Sequence, residues 1–284
     1  MNKREITLGH SPDADDAFMF YALAKEKIDT GPYSFNHILQ DIETLNHRAM
    51  LGELDITAIS VHAYAYVHQR YAILTAGGSL GIGYGPLVVA REPMSLETLK
   101  TKRIAIPGKL TSATMALRLC IGEYNFDVVP FDQIIPAVEA GRADAGLIIH
   151  EGQLLYEKHG LHKIIDLGEW WKEETGGLPL PLGANAIRKN LGEETIEQLA
   201  PLMRQTIEYS LNNRQEALEY ALEFGRDLVH LTPEYADRFV GMYVNPLTLD
   251  LGEEGRESYR LFLKRGYEEG VIANPVEVEF VDCG

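Results

Sequence analysis

Apolar and polar positions over residues 1–160 repeat one local theme. A short strand-like run ends in Ser, Thr or His and passes into an amphipathic helix, the grammar of an α/β protein. The first unit is Ile6-Thr7-Leu8-Gly9, then His10-Ser11-Pro12-Asp13-Ala14-Asp15-Asp16, then the apolar stripe Ala17 to Leu23. Its Ser, Pro and acids are helix-start signals, with Ser11 read as a cap. The second runs from Leu54 to Ile59, with Ser60 as N-cap of a helix reaching about Gln69. The third is Arg103-Ile104-Ala105-Ile106, a turn, and Thr111-Ser112 opening the helical run Ala113 to Cys120. The fourth is Ala145-Gly146-Leu147-Ile148-Ile149, apolar throughout as in a buried parallel strand, ending at His150-Glu151.

In open α/β sheets, ligands bind beyond the carboxyl ends of the strands, where helix N-termini present unpaired N–H groups and partial positive charge. Ser11, Ser60, Thr111, Ser112 and His150 all fall at that edge. Gly77 to Pro86 is a glycine-dense stretch that lacks the spacing of a dinucleotide or P-loop fingerprint and reads as a hinge or binding loop. Similar punctuation recurs at Gly176 to Ala184. Crossing points near 90 and 183 predict a discontinuous organisation. Residues 1–90 with 184–284 form the larger domain, residues 91–183 the inserted one, and a ligand cleft lies between them.

Composition narrows the function. With 26 Lys and Arg against 42 Asp and Glu, the formal charge is −16, which argues against a nucleic-acid binder and means that an anionic ligand must rely on local donors. Residues 191–284 carry 19 acidic and 8 basic side chains, spaced as solvated faces of helices. Cys120 and Cys283 form neither a disulfide framework nor a zinc cluster. Met1-Asn2-Lys3-Arg4-Glu5 leads straight into the first strand without an apolar leader, and no run is long enough to cross a membrane, so a cytoplasmic location is expected.

Nine histidines raise the question of a metal, but HExxH fails because position 154 is Leu, and His62 and His68 lie on different faces of one helix. No metal and no cofactor are expected. Gly9-His10-Ser11-Pro12-Asp13 is not a serine-hydrolase elbow. His150 is the candidate for proton transfer, since an imidazole facing a cleft takes a proton near neutral pH. A structural, hydrogen-bonded histidine is the alternative, as plain N-capping is for Ser60, Thr111 and Ser112.

Ser11-Pro12 with Asp16-Ala17-Phe18, Asp41 to Asn46, Gly85 to Arg91, Gly146 to Glu151, Asp166-Leu167-Gly168 with Trp170-Trp171, and Leu178 to Gly183 occur in one order along nearly the whole chain. In this the sequence resembles the 1,4-dihydroxy-6-naphthoate synthases of the futalosine route to menaquinone. The resemblance implies a two-domain, periplasmic-binding-protein-like (type II) α/β fold and a cofactor-independent lyase. That lyase releases 1,4-dihydroxy-6-naphthoate from cyclic dehypoxanthine futalosine. It further implies His150 as general base, with Ala58, Ile59, Ser60, Thr111 and Ser112 binding a small anionic substrate. Asp13-Ala14-Asp15 departs from the Cys-Pro-Asn familiar in the family and is assigned no role, and no binding or catalytic role is assigned to Ser11, Asp16 or Glu151. The competing expectations are the chorismate dehydratase of the same pathway, which lacks the His-Glu pair, and a non-catalytic solute-binding protein. No nucleic-acid or membrane partner is expected, and no oligomeric state is selected.

Overall fold

The computed structural model describes residues 3–224 and 232–284; Met1 and Asn2, where the leader reading began, lie outside them. Two sheets form. Strands β1 (Arg4–His10), β2 (Tyr33–Leu39), β3 (Ile56–Ser60), β4 (Tyr71–Leu74), β5 (Ser79–Gly81), β11 (Leu180–Arg188) and β12 (Phe280–Val281) build a seven-stranded sheet in the order β12-β4-β11-β3-β1-β2, with β5 on β11. Strands β6 (Leu87–Ala90), β7 (Arg103–Ile106), β8 (Asn125–Val128), β9 (Ala145–Ile148) and β10 (His162–Asp166) build a five-stranded sheet in the order β10-β6-β9-β7-β8.

The predicted strand–helix units are present, but both sheets are mixed rather than parallel. Strand β1 runs parallel to β2 and β3, whereas β11 lies antiparallel between β3 and β4. The apolar strand β9 is parallel to β7 and antiparallel to β6; an all-apolar strand reports burial on both faces and does not encode the direction of its neighbours. Leu147, Ile148 and the flanking Val88 and Val89 are fully buried. Helices cover both sheets. In the acidic last third, Glu193–Asn212 and Arg214–Leu222 are helices as their spacing predicts, with Leu199, Met203, Ile207 and Ala217 turned into the core and the acids outward.

The chain passes between the sheets at residues 82–86 and 176–179, since Leu87–Ala90 pairs in the smaller sheet and Leu180–Gly183 in the larger. Both passages lie a few residues before the points read from the glycines. The first is clamped backbone to backbone. Leu167 N donates to Pro86 O at 3.0 Å, and a Cβ on Gly168 would stand 1.9 Å from Tyr84 O, so glycine is required at this close approach.

Candidate active site

A cleft partly open to solvent lies between the two sheets, lined by residues of both. Its walls come from the ends of β1, β3, β7 and β9 and from β11. Ala58, Ile59, Ser60, Thr111 and Ser112 all line it, so the structure brings together the two segments singled out in the sequence.

Each is held by local chemistry. Ser60 ends β3 and stands at the N-cap position of the helix Val61–Val67 without a side-chain cap bond. Instead it locks to Asn46: Ser60 N donates to Asn46 Oδ1 at 2.9 Å, and Asn46 Nδ2 donates to Ser60 Oγ at 3.0 Å. Thr111 is a true N-cap of the helix Ser112–Ile121, its Oγ1 accepting from Thr114 N at 3.2 Å. Ser112 Oγ donates to Leu182 O on β11 and accepts from His62 N, tying the smaller sheet's helix to the larger sheet. His62, close by, is held down to a pKa of about 4, chiefly by burial.

Two further contacts bridge the halves at different places. The Glu43 carboxylate, from the helix Ile42–Leu51, accepts from Lys109 N at 2.8 Å and Leu110 N at 3.1 Å, in the turn after β7. Glu151, buried after β9, accepts from Ala14 N at 3.3 Å at the start of the helix that follows β1.

The sequence reading missed one wall altogether. Asp13, Asp15 and Asp16 line the cleft beside Ser11. Ser11 is not a helix cap: its Oγ donates to Asp13 Oδ2 at 2.6 Å, its backbone N–H donates to Asp16 Oδ2 at 2.7 Å, and Asp13 occupies the cap position. Burial, then the charges of Asp16, Asp13 and Glu151, push the Asp15 carboxyl well above its ordinary range. Burial lifts Asp16 to about 7, with Asp13 adding to it and the Ser11 N–H opposing. Three acids within four residues at a strand's end were the available signal, but such a run is also how an ordinary helix begins. Asn185 on β11, buried and facing the cleft, was missed as well.

His150 stands at the end of β9 beside the cleft rather than among its lining residues. Its Nδ1 accepts from Gly152 N at 3.0 Å, so the proton of the neutral ring resides on Nε2, which donates to Phe131 O at 3.1 Å. Glu151 Oε2 lies 3.8 Å from Nδ1. Among the described residues no three His, Cys, Asp or Glu side chains converge as a metal site requires, and no helix is long and apolar enough to cross a membrane.

The sequence profile described as menaquinone biosynthesis matches residues 6–268. The chain belongs to the menaquinone biosynthesis family. Two relatives of this family carry the name 1,4-dihydroxy-6-naphtoate synthase. One, from Thermus thermophilus, is 43% identical over 268 residues, covering 94% of this chain and 96% of the relative. The other, from Streptomyces coelicolor, is 36% identical over 278 residues, covering 96% of each. The family and the enzyme class expected from the sequence motifs are thereby borne out. Among solved structures, a protein from Archaeoglobus fulgidus shares 44% identity with a TM-score of 0.89, over 94% of this chain and 98% of that one. The alkanesulfonate-binding protein SsuA from Xanthomonas axonopodis is 12% identical with a TM-score of 0.73, covering 99% of each chain, and shows the binding-protein-like fold.

Proposed function

We propose that this member of the menaquinone biosynthesis family converts cyclic dehypoxanthine futalosine to 1,4-dihydroxy-6-naphthoate, with His150 as general base. The observation that carries the reading is that Ser60 and Thr111-Ser112, from the two halves of the chain, line one cleft, which supports a small ligand held from both. Ala58 and Ile59 lead into the first of these segments. Helix starts supply neutral donors for a carboxylate in a protein whose overall charge disfavours it.

In this mechanism the halves, residues 1–90 with 184–284 and residues 91–183 to within a few positions, close over the substrate and exclude water. His150 takes a substrate proton, and the electron pair left behind breaks the carbon–carbon bond to the non-aromatic remainder of the substrate, which departs as the ring aromatises. To do so the ring must turn from its backbone partners, because the Nδ1 lone pair is occupied by Gly152 N–H in this conformation. Giving up these two neutral hydrogen bonds costs about 1–3 kcal/mol in all, within reach of substrate binding energy.

The test is to incubate the protein separately with cyclic dehypoxanthine futalosine and with chorismate and to follow the products by mass. Release of dihydroxynaphthoate is the expected result. Dehydration of chorismate, or tight binding of either compound without turnover, overturns it. His150→Ala is expected to lower kcat by at least about 10²-fold with KM little changed, and near-normal turnover removes His150 from the mechanism.

A further inference from the structure

Asn185 is a polar residue in the middle of an apolar strand. Strand β11 reads Leu180-Pro-Leu-Gly-Ala-Asn-Ala-Ile-Arg188, and Ala184, Asn185 and Ala186 are all almost wholly buried. Asn185 pairs with Ala58 of β3, and the pairing with β4 begins at Ala186, so the ladder runs through this position without using the side-chain amide. Asparagine is also a poor strand former. The Nδ2 of Asn185 is buried without a hydrogen-bond partner. A buried donor left unmatched carries its full desolvation penalty, and the large majority of such groups in folded proteins are paired.

Ser60 pairs with Gly183 and Ala58 with Asn185, so these four share one face of two adjacent strands, and they line the cleft together with Ile59 and Ala184 of the other face. The neighbouring loop is shaped around the amide. Gly77 adopts φ +86°, its N–H is fixed to Thr248 O at 2.7 Å, and a Cβ there would lie 1.8 Å from Asn185 Nδ2. Room has been left for an amide that binds nothing within the protein.

We propose that Asn185 is a substrate-positioning residue whose Nδ2 donates to an acceptor oxygen of the bound naphthoate-type ligand, a carboxylate, carbonyl or phenolate. The ligand class rests on the function proposed above. Asn185 then adds a rigid side-chain donor to those of the helix starts, on a strand that does not depend on a cap for its position. Gly77 keeps the amide in place, since any side chain there displaces it.

The experiment is calorimetric titration of the whole protein with 1,4-dihydroxy-6-naphthoate, comparing wild type, Asn185→Ala, Asn185→Asp and Gly77→Ala, alongside their unfolding midpoints without ligand. Wild type is expected to bind, Asn185→Ala to bind at least about tenfold more weakly, and Asn185→Asp more weakly still, since a carboxylate faces the ligand's acceptor. Gly77→Ala is expected to follow Asn185→Ala although the amide is intact. Affinities within twofold of wild type for Asn185→Ala, with a shifted midpoint alone, make the amide structural and overturn the assignment. An Asn185→Asp variant that binds as well as wild type overturns the donor role, because the group met would then be a ligand hydroxyl. Absence of binding by wild type overturns the proposed function itself and with it this ligand. Should Asn185→Ala fail to fold, Asn185→Ser, a shorter donor, is expected to lose affinity in the same direction, and unchanged affinity there counts against the proposal.

Discussion

Ser60 and Thr111 stand at the ends of β3 and β7 with neutral side chains and helix N-termini behind them, while Asp13, Asp15 and Asp16 follow the end of β1 with the same backbone arrangement and three carboxyls. The two sides of the cleft thus share a local architecture and differ in chemistry. On the neutral side, hydroxyls and backbone are locked by Asn46, Thr114 and Leu182. On the acidic side, burial, with the neighbouring carboxyls adding to it, makes Asp15 and Asp16 hold their protons far more tightly than usual. The difference teaches that a strand's carboxyl end is only a position. Whether it attracts or repels an anion is decided by the few residues placed there.

Moving an acid to the neutral side should produce the largest effect. Ser60→Asp keeps an acceptor for Asn46 Nδ2 and so is expected to fold, yet it sets a carboxylate against the ligand. Calorimetry should show naphthoate affinity falling by about 100-fold, since like charges in contact cost several kcal/mol. A loss under threefold would mean that the anionic group does not approach Ser60.

Next comes a bridge between the half that carries Ser60 and the half that carries Thr111. Glu43 holds two backbone N–H groups of the opposite half, and bonds to a charged acceptor are worth about 1.5–3 kcal/mol. Glu43→Ala should weaken naphthoate binding about tenfold by favouring the open cleft, with Glu43→Gln losing less. Equal affinities in all three proteins would show that this contact does not govern closure.

A smaller effect separates the acidic side from the histidines next to it on β1 and β2. His10 Nε2 and His37 Nδ1 lie 3.0 Å apart. Burial, with His37 adding to it, lowers His10 to about 3, and burial lowers His37 to about 4. These groups contribute stability that is fully present above their unfolded value near 6.5 and is lost as pH falls toward 4 and 3. Asp16 has the opposite sign. Raised to about 7, its contribution is complete below an unfolded value near 3.8 and is lost as pH rises through 7. Between pH 4 and 7 the two slopes oppose. Asp16→Asn is therefore expected to steepen the fall in urea-unfolding free energy as the medium is acidified from pH 7 to 4. A slope identical to wild type would leave Asp16 outside this balance.

The smallest expected change is that of the cap. Thr111→Ala removes the acceptor for Thr114 N and should cost about 1 kcal/mol, a drop of roughly 2 °C in Tm for a chain of this size, read by calorimetric melting. An unchanged Tm would mean that water replaces the cap.

Much of the neutral side could be read from the chain. Arg103–Ile106 is a strand within the bounds its pattern predicts, and Ser60 and Thr111 fall at helix starts because apolar runs ending in Ser or Thr carry both signals at once. The passages between sheets were displaced, since glycine density marks where backbones crowd while strand pairing decides to which sheet Leu87–Ala90 belongs. The acidic side looked like an ordinary helix start because an exposed acid and a buried one are the same letter. Asn185 interrupts an apolar run only once. The direction of the His150 ring, set by Gly152 N–H and Phe131 O, depends on contacts that no periodicity encodes.

The clamp at the first passage, where Gly168 lies against Tyr84 O, has a mechanical meaning. In the closure proposed above it would be a fulcrum made of main chain alone, with no side chain that could yield under load. A single methyl group inserted there would act as a wedge. The two sheets extend well beyond that point, so a small separation at the pivot would be magnified along each half into a gape at the mouth. If the halves close as proposed, Gly168, which lines no part of the cleft, would set how far they can shut.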